Sequence, residues 1–113
     1  MIPQDMLAKL GDHNEVIPCG YEEWVPWALE NLFHPHGPGA GRCMIAKYRN
    51  VSGVVVSTVF LGMNTSPGKP KWFETMVFGG PLDGERAHYE TCAEAEAGHA
   101  EMIVRVQRAP RRS

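Results

Sequence analysis

VVVSTVFLGM, residues 54–63, decides the fold. It is a β-branched run that is apolar on both sides. With a two-residue period, Val54, Val56, Thr58 and Phe60 share one face, and Val55, Val59, Leu61 and Met63 share the other. A strand of that kind sits in the middle of a sheet and is covered twice, by helices or by a partner chain. If the chain covers only one face, the other is expected to be a dimer or partner interface.

Two further strands flank it. RCMIAKY (42–48) alternates loosely, and KWFETMVFG (71–79) forms the third strand. The links RNVSG (49–53) and NTSPGKP (64–70) are short enough for antiparallel hairpins. Pro81 and Asp83-Gly84 then turn the chain, and ERAHYE (85–90) reads as a fourth, exposed strand.

Helices bracket this meander. Thr91-x-x-Glu94 is a capping box. Behind it, Cys92, Ala95, His99, Met102, Ile103 and Val106 keep helical spacing until Pro110, with Glu101 and Arg105 as an i,i+4 pair. Upstream, YEEWVPWALENLF (21–33) presents Trp24, Trp27, Ala28 and Leu32, with Tyr21 beside them. Pro26 has to lie near its first turn or kink it. PQDMLAKL (3–10) reads as a short helix stopped by Gly11, and EVIP (15–18) as a short edge strand. The expected fold is α+β: a three- to four-stranded antiparallel meander packed with two main helices.

At 113 residues, 43% hydrophobic and 21% charged, the chain supports one modest core and is not a disordered segment. Residues 1–113 are therefore read as a single domain, with a flexible HPHGPGAG loop at 34–41 and a basic tail at 108–113. A net charge of −2 gives no general affinity for nucleic acid. No apolar run is long enough to span a membrane, and the first 30 residues lack the pattern of a signal peptide. Cys19, Cys43 and Cys92 are odd in number and widely spaced, as expected of reduced thiols in a cytoplasm.

Charge is segregated along the chain. Segments 1–41 and 72–104 are acidic, and 42–71 and the end of the chain are basic. The preferred reading is internal complementarity, and the second is a basic docking surface.

Chemistry-bearing residues are few. His99 lies on the apolar stripe of the last helix, after Gly98. A mid-helix glycine costs about 1 kcal/mol relative to alanine, so it marks close approach of another element. Glu74 interrupts the Trp72, Met76, Phe78 face of its strand and is the expected partner of His99. The pair is read as structural first, and as a general acid/base couple second. Cys92, in a first helical turn, should have a lowered pKa, but it stands two turns from His99. His34 and His36 are a weak metal pair without further ligands, so neither metal nor cofactor is expected. Trp24, Trp27, Trp72, Arg105 and Arg108 are the residue types that anchor protein interfaces, if exposed.

VSTVFLGMN (56–64), WFETMVFGG (72–80), Tyr89-x-Thr91 and EAEAGH (94–99) together resemble a family of small uncharacterised bacteriophage and prophage proteins. The resemblance covers about half the chain. Relatives often carry Asp-His where this chain has Met63-Asn64, and Trp where it has Cys92. The resemblance implies no catalytic residue. It implies an accessory protein acting by binding a host protein or complex, with inhibition of a defence complex as one form. Two other readings stand beside it: a small enzyme or ligand-binding domain using His99 and Glu74, and a virion or assembly component that self-associates, with the sheet edge and the Arg tail making subunit contacts.

Overall fold

The computed structural model describes residues 6–32, 43–64 and 68–110. The elements run β1 (Ala8–Leu10), β2 (Val16–Pro18), α1 (Tyr21–Asn31), β3 (Met44–Arg49), β4 (Val55–Phe60), β5 (Phe73–Phe78), β6 (Arg86–Tyr89) and α2 (Cys92–Arg108). β3 to β6 form one four-stranded antiparallel sheet in sequence order, and β1 and β2 form a separate two-stranded one. The fold is α+β, and β4 is an inner strand of the larger sheet.

Alternation builds the covered face. Val56, Thr58 and Phe60 of β4 are buried, as are Phe73, Thr75 and Val77 of β5. α2 lies across them and contributes Ala95, Gly98, His99 and Met102. Thr91 caps α2 by accepting a hydrogen bond from the Glu94 backbone N–H at 3.1 Å, as the capping box requires. Arg105 departs from the expected pairing with Glu101. It meets Glu85 at 2.8 Å, because α2 runs beside the turn into β6.

The N-terminal segment corrects the sequence reading. Residues 3–10 were expected to be helical, yet 8–10 are strand, and 1–5 lie outside the described residues. The backbone explains it. The Leu7 carbonyl accepts from the Cys19 N–H, the Ala8 N–H donates to the Gly62 carbonyl, and the Asn64 N–H donates to the Met6 carbonyl. With partners on both sides, a segment too short to nucleate a helix gains more as a strand. β2 behaves as expected, with Pro18 paired to Ala8.

α1 packs at the same end of the covered face. Trp24 and Ala28 are buried with Leu7 and Cys19. Trp27 meets Phe60 edge-on, with ring centroids 5.9 Å apart. Lys9 ties β1 to α1 through Glu23 at 3.0 Å. Pro26 lies inside the helix on an exposed side, and Tyr21 is exposed rather than part of the packed face. Gly62 has φ +74°, and a Cβ there would press on Leu32, so glycine lets the chain leave β4 beneath α1.

Gly98 is where α2 comes closest to the sheet. A Cβ at this position would run into the Tyr89 ring. Gly98→Val should therefore lower stability by about 1–3 kcal/mol in denaturant unfolding, through overpacking. Gly98→Ala, which elsewhere in a helix gains about 1 kcal/mol, should be destabilising here. In a Tyr89→Ala background the same change should become neutral or stabilising, which a double-mutant cycle measures.

Candidate functional site

His99 is buried, and its partners come from the sheet. Its Nδ1 lies 2.8 Å from Thr58 Oγ1. Thr58 Oγ1 is in turn 2.6 Å from Thr75 Oγ1, directly across the β4–β5 ladder. Tyr89 flanks this pair, with its ring lying under Gly98 of α2. The four groups form a polar seam through the middle of the helix–sheet interface. On one side lies the cluster of Phe60, Phe73 and Ala95. On the other lies the cluster of Val56, Val77 and Met102.

Proton bookkeeping favours a neutral imidazole. With Nδ1 as acceptor, Thr58 donates to the imidazole and accepts from Thr75, an arrangement that a neutral ring allows. Burial acts in the same direction, holding the His99 pKa below its ordinary value. Protonation would turn Nδ1 into a donor, so that Thr58 would accept from it and donate to Thr75 instead. Tyr89 is shifted upward, mainly by burial and then by the Glu101 carboxylate. Thr58 joins the sheet to the helix through Thr75 and His99, which gives the seam the character of a register lock.

The expected His99–Glu74 pair is not formed. Glu74 projects from the opposite face of β5 and meets His88 Nε2 at 2.8 Å. Cys92 also differs from expectation. Its pKa is raised to about 11, by burial first and then by the Glu96 carboxylate, which accepts its S–H at 3.2 Å. The helix dipole is outweighed. Cys19 is likewise shifted upward, chiefly by burial, and no disulfide joins the three cysteines.

The proposed interface anchors divide. Trp24 and Trp72 are buried, and Trp27 is half-buried against Phe60, so all three tryptophans belong to the core. Arg105 is engaged with Glu85, while Arg108 is exposed in the last turn of α2. His34, His36 and the 34–41 loop lie outside the described residues, as do residues 111–113 of the basic tail. No cluster of three metal-ligating side chains occurs among the described residues. A groove of about 710 Å³ lies between the β3–β4 turn, Gly80-Pro81 and the end of α2, and it includes neither His99, Glu74 nor Cys92.

What sequence reasoning left open is the second face of the sheet. Cross-strand register defines it in three rows. Arg49, Val55 and Phe78 form the first, and Lys47, Ser57, Met76 and Arg86 the second. Met44, Val59, Glu74 and His88 form the third. Val55, Val59 and Met76 are half-exposed, and Phe78 is 49% exposed. No described element packs on this face, because α1, α2 and the β1–β2 pair all lie on the other side. Lys47, Arg49 and Arg86 are exposed at its rims.

Comparison with protein-family models, curated proteins and solved structures returned no match. No helix among the described residues is long and apolar enough to cross a membrane.

Two outcomes follow from the seam and the thiols. The folded chain binds a proton at His99 less readily than the unfolded chain, whose histidine titrates near pH 6.5. Stability should therefore be fully present above about pH 6.5 and fall as pH drops through the depressed folded value. His99→Asn should flatten that part of the stability–pH curve, and urea unfolding at stepped pH measures the difference. Cys92 should be alkylated about two orders of magnitude more slowly in the folded protein than in denaturant at neutral pH. Mass spectrometry of iodoacetamide adducts reads this site by site.

Proposed function

We propose that this chain is a phage- or prophage-type accessory protein that works by binding another protein through the open face of its sheet. One observation carries the reading: the inner strands β4 and β5 present Val55, Val59, Met76 and Phe78 on a face that no described element covers. Inner strands with apolar residues on both faces are normally covered twice. The resemblance of the 56–64, 72–80 and 94–99 segments supports the provenance. A host protein complex is the target class, and inhibition of a defence complex is the form of action.

The rival enzyme reading has lost its geometry, since His99 and Glu74 lie on opposite sides of the sheet. The assembly reading instead places a second copy against the sheet edge and the Arg tail.

Size-exclusion chromatography with light scattering separates these readings. The protein alone should run as a monomer and shift into a discrete complex in host lysate. Val59→Lys combined with Met76→Lys should abolish the shift while leaving the unfolding transition within about 0.5 kcal/mol, because both side chains already meet solvent. A complex indifferent to this pair of changes would remove the open face from the proposal. Self-assembly of the free protein would favour the assembly reading.

A further inference from the structure

Resting on that reading, we infer that the open face receives a single amphipathic α-helix of the partner protein, apolar along its centre and acidic on both flanks. The apolar residues of the face lie mainly on the two inner strands: Val55 and Val59 on β4, and Met76 and Phe78 on β5. Cations stand on the two outer strands: Lys47 and Arg49 on β3, and Arg86 on β6. None of the three has an ion-pair partner among the described residues, whereas Lys9, Lys71 and Arg105 pair with Glu23, Glu90 and Glu85. The single acid on the face, Glu74, is already held by His88 at 2.8 Å. An apolar trough between two basic rims is the complement of a helix with an apolar stripe between two acidic flanks.

Dimensions agree. Four strands place the outer pair about 14 Å apart, and six residues of strand run about 20 Å. A helix with its side chains is about 10–12 Å across, and about 14 residues of it cover that length. The trough therefore matches the footprint of one helix. A second copy docked face to face would oppose Lys47, Arg49 and Arg86 with themselves. Single-stranded nucleic acid fits the cations but needs aromatic platforms for stacking, and among the described residues of the face only Phe78 is Phe, Tyr or Trp, while the His88 ring is held by Glu74. The covered side repels such a helix, for α2 carries Glu94, Glu96 and Glu101 and α1 carries Glu22, Glu23 and Glu30.

The test uses two synthetic peptides of about 18 residues, long enough to span the trough as helices. They share one leucine stripe, flanked by glutamate in one and by lysine in the other. Titrated into ¹⁵N-labelled protein at low salt, the glutamate peptide should shift amide signals of β3 to β6 and weaken several-fold between about 50 and about 300 mM salt. The lysine peptide should leave those signals in place. Lys47→Glu with Arg86→Glu should weaken the glutamate peptide about tenfold or more without changing the unfolding transition.

Equal binding of both peptides, or preferential binding of an oligothymidine probe, would overturn the inference. So would concentration-dependent self-association that occupies the same signals. The lysate complex keeps the two levels apart. If Val59→Lys with Met76→Lys abolishes it but Lys47→Glu with Arg86→Glu does not, the acidic helix is wrong and the docking face stands. If neither pair affects it, both fail.

Discussion

The closeness of α2 to the sheet is the constraint on which the rest of the structure depends. Gly98 lets the helix settle on Tyr89, and that approach brings His99 within hydrogen-bonding distance of Thr58. A larger residue at 98 would hold the helix away and break the bond between His99 and Thr58. The seam of Thr58, Thr75, Tyr89 and His99 therefore does more than fill space. It divides two apolar clusters and sets the helix in one register, since a slide of one turn would place an apolar residue against two threonine hydroxyls.

That arrangement concentrates the packing on one side. The N-terminal strands and α1 extend the same layer, closing over Phe60 and Trp72 at the far end. With every described element spent there, the opposite face keeps its aliphatic residues in contact with solvent.

Charge follows the same division. Acidic residues collect on the helical layer, and unpaired cations collect on the open face. The expected internal complementarity is realised in part, through the pairs Lys71–Glu90 and Arg105–Glu85. Lys47, Arg49 and Arg86 remain outside it, because their strands turn them away from the acidic helices. Segregation visible along the chain becomes segregation across the sheet.

The meander, the capped last helix and the tight turns were legible in the sequence, because each rests on local rules: alternation, capping and turn chemistry. The glycine of close approach was legible for the same reason. Residues 6–10 were not, since their conformation is set by hydrogen bonds to Cys19, Gly62 and Asn64, which lie far along the chain. Nor was the partner of His99. In β5, Phe73, Thr75 and Val77 alternate with Glu74, Met76 and Phe78, and both sets carry apolar residues. Composition alone does not say which set a helix will cover, and a shift of one residue exchanges them. Sequence by itself determined the elements and their order. Only tertiary packing decided which face was buried, and with it that His99 meets threonines while Glu74 faces out.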